Sequence, residues 1–415
     1  MKTALFLSTF STLLLLSEGF SEPEHHTVNI STILDNLLIG YDKRVRPNDG
    51  NIPVTVGVSL YVLSIWDFSE QNMDFTFDMY FRQFWHDPRL AFGQRPGLNK
   101  LVINADYIHN IWVPDTFFVN EKEARYHHST VDNQFLRILH TGDILRSIRM
   151  TVKASCPLDL QNYPMDKQLC SLEIESFGFT MSDLRFRWED GLKSVQCSPD
   201  VSLPAFNVVG HRQRLIEASL SSGNYSRLLA DIQFERAVGH YVIQVYVPMA
   251  LLVGMSWVVF WLRPEDTSAR VGLCAITILA LTTIMVSVNT DLPKISYMKA
   301  IDIYMGFCFL TVLAALIESA FVAFAMRWIQ ERRNKVEADQ RLSEEMLAED
   351  QERKVTKVEF KQGPVDAIFG FKPIYLDWFS RIGVPVVFLV FNVAYWKTYL
   401  GRAQEEGVDD LVYLH

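Results

Sequence analysis

Gly272, Ile276, Leu279, Thr283 and Val286 recur at steps of four, three, four and three residues, which places them on one face of a helix. They lie in a run from 271 to 288 that carries no charge and is about long enough to cross a bilayer. The stripe is small at one end, aliphatic in the middle and partly polar beyond. A ring of such helices would enclose a narrow pore with a hydrophobic constriction, and a constriction of that kind gates by dewetting. The chemistry offered is passage of an ion, not the making of a bond. No nucleophile stands at matched spacing from a base, and no cluster of His, Cys, Asp or Glu has the spacing of a metal site. The chain therefore reads as no enzyme, with no cofactor and no metal.

The elements that must position this stripe follow from composition. The chain has 415 residues, enough for two or three domains, and its apolar residues concentrate in the second half. A formal charge of −9 speaks against nucleic acid as a partner. Residues 1–21 have the pattern of a secretory signal: Lys2, an apolar run, then Gly19 and Ser21 near a cleavage site. Residues 22–239 alternate in short apolar and polar runs (54–63, 75–85, 145–155, 168–177 and 228–237), separated by polar or Gly/Pro breaks, after one short helix near 32–39. That spacing predicts an extracellular β-sandwich. Sequons at Asn29 and Asn224 are candidate glycosylation sites.

Four apolar segments complete the chain, at about 241–262, 268–290, 303–326 and 382–400. The predicted organisation is three membrane helices within 240–326, a charged and partly helical cytoplasmic segment at 327–373, a fourth helix within 374–400 and an extracellular tail at 401–415. The expected class is a β plus α membrane protein, with a sandwich outside and a four-helix bundle in the bilayer. Cys274 and Cys308 fall in apolar spans and read as packed thiols. Cys156, Cys170 and Cys197 lie in the secreted part, so at most one pair can form there.

Several motifs then converge. Thirteen residues separate Cys156 from Cys170, in CPLDLQNYPMDKQLC. With them stand Trp85-His86-Asp87-Pro88-Arg89-Leu90, Trp112-Val113-Pro114-Asp115, Ala269-Arg270-Val271-Gly272-Leu273 and Leu292-Pro293-Lys294-Ile295-Ser296-Tyr297. From about Ile33 to Leu400 the chain resembles subunits of the Cys-loop pentameric ligand-gated ion channels, closest to the glycine and GABA receptor branch. The resemblance implies a disulfide between Cys156 and Cys170; closing a loop of that size contributes about 3 kcal/mol. It implies a homo- or hetero-pentamer of like subunits in the plasma membrane, surrounded by lipid, with a small amino-acid or amine agonist bound between subunits.

It also assigns residues. Phe117, Phe177, Phe179 and Tyr225 match one half of an aromatic agonist box, with Glu175 near the agonist's amine. Tyr80, Arg82 and Ser147 match the other half, where a guanidinium fork suits a carboxylate. Arg270, Gly272, Ile276, Leu279, Thr283 and Val286 match the pore lining. Ala269 stands where the cation channels of the family carry Glu. Five copies of Arg270 and no glutamate would then make the inner mouth electropositive and select chloride. Arg236, with Glu70 and Asp166, matches the ionic coupling between sandwich and pore, and Tyr163, Pro164, Pro293 and Lys294 match the apposed loops. The chain departs from the branch at Ser268, Ile276 and Leu220, where Pro, Thr and an aromatic are usual. The competing readings are a cation-selective relative, and an orphan or non-conducting membrane receptor or scaffold that would need neither the stripe nor Arg270.

Overall fold

The computed structural model describes residues 29–50, 52–349, 374–405 and 411–413. The expected signal at 1–21 and the stretch 350–373 of the charged segment lie outside the described residues.

Helix α1 (Ile30–Leu37) starts where the Asn29 side chain accepts a hydrogen bond from the Thr32 N–H, an N-cap. Strands then alternate buried and exposed positions and pack as two sheets. One contains β1 (Val54–Ser69), β2 (Asp74–His86), β3 (Lys100–Asn104), β5 (Glu121–Tyr126), β6 (Gln134–Leu139), β7 (Asp143–Ser155), β9 (Leu184–Trp188) and β10 (Val195–Cys197). Its order is β10-β1-β2-β7-β6-β3, with β9 also pairing β1 and β5 also pairing β7. The other contains β4 (Thr116–Phe118), β8 (Lys167–Ser176), β11 (Phe206–Leu220), β12 (Gly223–Arg236) and β13 (Val412–Tyr413), in the order β13-β11-β12-β8-β4. Val56, Val58, Phe75, Phe77, Leu172, Ile174 and Phe234 are buried between the two sheets. The Cys156–Cys170 disulfide joins the end of β7 to β8, stapling one sheet to the other. Cys197 is a free thiol whose pKa burial pushes up to about 11.

Among the described residues, four helices long and apolar enough to cross a membrane follow: α2 (Gly239–Trp261), α3 (Thr267–Thr290), α4 (Ala300–Glu349) and α5 (Ile374–Glu405). At about 1.5 Å per residue the 24 residues of α3 span about 36 Å, more than a bilayer core. A π-turn at Val242–Tyr246 lies just before Pro248 in α2. Proline cannot donate to the preceding turn, and the looser turn absorbs the mismatch. Aromatic rings tie the bundle together. Tyr246 of α2 shares a hydrogen bond with Tyr395 of α5 at 2.7 Å, and Phe307 of α4 stacks on Phe391 of α5 with centroids 3.7 Å apart.

The third apolar segment and the charged stretch after it, expected to be partly helical, form one continuous helix: residues 327–349 contain neither Gly nor Pro, so nothing breaks it and α4 runs on to Glu349. One boundary differs from the sequence reading. The tail expected from 401 is helical to Glu405, and Val412–Tyr413 then returns to the sandwich as an edge strand on Gly210 and His211 of β11. A Cβ at Gly210 would lie 2.7 Å from the Val412 carbonyl oxygen, so glycine is what lets the tail approach.

Candidate functional site: pore stripe, agonist half-sites and their coupling

In α3 the side chains of Cys274, Thr277 and Leu281 are buried against the rest of the bundle. Ile276, Leu279, Thr283 and Val286 are exposed on another face, and Gly272 is half-buried at its inner end. Among the described residues nothing covers Ile276 and Leu279, which are 67% and 68% exposed. Thr283 folds its hydroxyl back onto the Leu279 carbonyl, a bond that satisfies the donor inside a helix.

Arg270 overturns one expectation. It does not line the stripe. It points into the bundle, is 1% exposed, and pairs with Asp377 of α5 through two hydrogen bonds of 3.1 and 2.7 Å. Its Nη2 also donates to the Leu262 carbonyl at the end of α2. The four-three stepping that selects the stripe carries residue 270 to the opposite side, and a buried carboxylate on a helix distant in sequence holds it there. A ring of free guanidiniums at the inner mouth is therefore not what this chain supplies.

The agonist residues fall into two groups on opposite sheets. Phe117 on β4, Glu175 at the end of β8, Phe177 and Phe179 just beyond it, and Tyr225 on β12 belong to the five-stranded sheet. Phe117 and Phe177 meet edge to face at 5.6 Å, Phe177 is 79% exposed, and Phe179 packs edge to face on Trp112. Asp115 braces this loop: Ser176 Oγ and the Gly178 N–H both donate to its carboxylate. Tyr225 is buried in the β11–β12 hairpin, its hydroxyl donating to Ser222 Oγ. Glu175 is buried and paired, accepting from Arg227 Nε at 2.6 Å, while Arg227 Nη1 reaches Glu173 at 2.7 Å. Tyr80, Arg82 and Ser147 belong to the eight-stranded sheet, where Arg82 stands opposite Ser147 in the β2–β7 ladder and Tyr80 stacks on Tyr61. Among the described residues Arg82 has no carboxylate partner. The two groups therefore lie on different sheets of one subunit.

Beneath the sandwich, Arg236 is buried with its Nε 2.8 Å from Asp166 Oδ1, its Nη2 3.2 Å from Oδ2, and its Nη1 2.5 Å from Glu70. Its guanidinium lies 4.6 Å from the Tyr163 ring centroid and 4.4 Å from that of Phe206. Burial opposes the charge, but Asp166 and Glu70 outweigh it and hold the pKa above the ordinary arginine value. Tyr163 and Pro164 are buried, with the Tyr163 ring edge-on to Tyr241. Across the junction, Pro293 is half-buried and Lys294 is exposed. The disulfide loop also grips α4 through its backbone. The N–H groups of Ala300 and Ile301 donate to the carbonyls of Gln161 and Tyr163 at 2.9 and 3.1 Å, and the Leu160 N–H donates to Tyr297 Oη at 3.0 Å. The first N–H groups of a helix have no partner within it, and here the sandwich supplies one for two of them.

A family model described as the neurotransmitter-gated ion-channel ligand binding domain matches residues 30–238, and one described as the neurotransmitter-gated ion-channel transmembrane region matches residues 245–363. The chain belongs to the neurotransmitter-gated ion-channel family. It is 40% identical over 307 residues to a gamma-aminobutyric acid receptor subunit beta of Lymnaea stagnalis, covering 72% of this chain and 62% of the relative. It is 42% identical over 301 residues to a gamma-aminobutyric acid receptor subunit beta-4 of Gallus gallus, covering 72% and 61%. The matched part thus spans less than two thirds of either relative's length.

For a neurotransmitter-gated channel subunit, four participants escaped the sequence reading. Arg227 was invisible because its role depends on cross-strand neighbours in β8. Asp377 sits about a hundred residues from Arg270 with no local signal. Gln161 and Tyr297 act through a junction between domains. Periodicity within a single element reveals none of these. The sequons also have distinct settings. Asn29 is exposed at the start of α1, whereas Asn224 is exposed in the β11–β12 hairpin and accepts from Ser219 Oγ.

Proposed function

We propose that this chain is a subunit of a pentameric, chloride-selective channel opened by a small amino-acid or amine agonist at the boundary between subunits. The observation that carries the reading is the exposed stripe of Ile276, Leu279, Thr283 and Val286 on a helix whose other side is packed. Five such faces turned inward give a narrow path with an aliphatic constriction. The split of the aromatic box between two sheets supports an intersubunit agonist site. Arg82, without a carboxylate of its own, suits the carboxylate of an amino acid. The relatives named as gamma-aminobutyric acid receptor subunits favour that agonist class.

With Arg270 neutralised, selectivity needs another source. Ala269 puts no carboxylate at the inner mouth. The N-termini of five α3 helices converge there, each contributing the equivalent of about half a positive charge, beside the exposed carboxylates of Glu265 and Asp266, which oppose it. Plasma-membrane residence, with the sandwich outside and at a synapse, follows from the same reading. The test is to express the chain alone and apply amino-acid agonists under voltage clamp while varying chloride and sodium separately. A current whose reversal potential follows chloride supports the proposal. One that follows sodium refutes the selectivity, and a correctly inserted chain that never conducts favours the receptor or scaffold reading.

A further inference from the structure

The sequon Asn224-Tyr225-Ser226 has no part in the function argued so far. It opens β12 directly after a two-residue turn, Ser221-Ser222, which joins Leu220 of β11 to Gly223. The tip of this hairpin leans on the loop that carries Phe177 and Phe179. The Met181 N–H donates to the Asn224 carbonyl at 2.8 Å. Gly223 has a φ of 138°, and a Cβ on it would lie 2.9 Å from Thr180 Cγ2, so glycine is what lets the tip come this close. The backbone of Asn224 is thereby held at the rim of the aromatic half-site.

The Asn224 side chain takes no part in that anchoring. It belongs to an exposed residue, and its Oδ1 accepts from Ser219 Oγ across the ladder at 3.0 Å. Its Nδ2 donates no hydrogen bond among the described residues. The next residue, Tyr225, is buried, as alternation along a strand requires when Asn224 faces solvent. A substituent on Nδ2 therefore displaces no bond and projects into water. Ser226 is buried, its Oγ accepting from the Phe186 N–H at 3.0 Å. Sugar is added to the chain before β12 pairs, so that burial does not oppose the transfer.

We propose that Asn224 carries an N-linked oligosaccharide, which shields the tip of the agonist hairpin from macromolecules while leaving it open to small ones. The extracellular domain passes through the secretory path, where the sugar is delivered on a lipid diphosphate. The Asn224 Nδ2 loses one proton and bonds to the anomeric carbon of the oligosaccharide. The bond from that carbon to the diphosphate oxygen breaks, and the lipid diphosphate leaves with the electron pair. The product is bulky and strongly hydrated, so it fills the water around the tip and does not pack on the apolar rings beneath. Attachment stands by itself; its consequence for agonist access rests on the channel reading above.

The experiment uses the full-length chain expressed in animal cells. Asn29 and Asn224 head its only two Asn-x-Ser/Thr sequons. Asn29→Asp keeps the side-chain acceptor that caps α1 and leaves Asn224 as the one site for sugar. Peptide N-glycosidase should shift the Asn29→Asp chain to faster migration on a denaturing gel. The shift should vanish when Asn224→Asp, which keeps the acceptor for Ser219, is added. No shift in Asn29→Asp alone overturns the proposal, as does a shift that survives Asn224→Asp. Shielding is read on purified protein by adding Ser221→Cys at the exposed turn. A polyethylene glycol maleimide should label this thiol several-fold faster without the sugar, whereas N-ethylmaleimide should label it at the same rate with and without. The same chain lacking Ser221→Cys sets the background from Cys197. Equal rates for the polymer reagent overturn the shielding. An equally large change for N-ethylmaleimide traces the effect to altered structure and overturns it too. Sugar on Asn224 in an inserted chain that never conducts would sink the channel reading and leave the modification site standing.

Discussion

Replacing Asp377 by Asn removes one partner of the ion pair that turns Arg270 away from the pore stripe. The pair has two hydrogen bonds, of 3.1 and 2.7 Å, between side chains that are 1% and 3% exposed. Water reaches neither charge, so the guanidinium is left buried without its countercharge, with only neutral acceptors, the Asn amide oxygen and the Leu262 carbonyl. Removing one member of such a pair costs about 3–5 kcal/mol. Arg270→Gln strands the carboxylate and should cost a similar amount. The double variant strands neither charge, so it should be less destabilised than the sum of the two, with a coupling energy of about 2 kcal/mol or more. The assay is the thermal loss of the assembled peak by fluorescence-detected size exclusion, on wild type, both singles and the double. A parallel voltage-clamp arm measures the chloride reversal potential. Because the charge of Arg270 is already neutralised and faces away from the stripe, Arg270→Gln should change assembly and stability while leaving selectivity intact. Additive losses in the double variant would refute the paired burial. A shift in the reversal potential of Arg270→Gln towards that of sodium would refute the inference that this arginine is not the selectivity element.

Further expectations follow from the sandwich and its base. Asp166→Asn should abolish coupling or expression, since both carboxylate oxygens serve buried Arg236, whereas Glu70→Gln, at a partly exposed carboxylate, should only raise the agonist concentration for half-maximal current. A gentler effect of Asp166→Asn than of Glu70→Gln would contradict that ranking. Phe177→Ala should leave assembly unchanged and weaken an amine agonist by up to roughly thirtyfold, the equivalent of about 2 kcal/mol for a desolvated cation–aromatic contact; an unchanged concentration response would remove Phe177 from the box. His211 is buried, and burial lowers its pKa below the ordinary histidine value. Its contribution to stability is therefore fully present above the unfolded value near about 6.5 and is lost as pH falls from there towards the folded value. Thermal melts between neutral and mildly acid pH should show this loss in wild type and less of it in His211→Gln. Gly210→Val should match deletion of residues 411–415 in melting temperature, and combining the two should add nothing, because both remove the same strand pairing. Additive losses would show that the tail's docking does not depend on that glycine.

Much of the architecture was determined by the chain itself. Short alternating runs specify strands because side chains on a strand alternate between its two faces, and uncharged runs of bilayer length specify membrane helices because lipid offers the backbone no hydrogen bonds. The four-three stepping of Ile276, Leu279, Thr283 and Val286 found the one exposed face of α3 for the same reason: helical periodicity is a property of a single segment. The motifs around Trp112, Cys156 and Pro293 carried the family. What the sequence could not decide was where long side chains turn and what they meet. Arg270 sits in a pore-helix motif, but its direction is set by a carboxylate on α5. Glu175 is engaged because Arg227 lies across the ladder. Charges of this kind depend on partners far apart in the chain, and only the packed structure puts those partners within a few ångströms of one another.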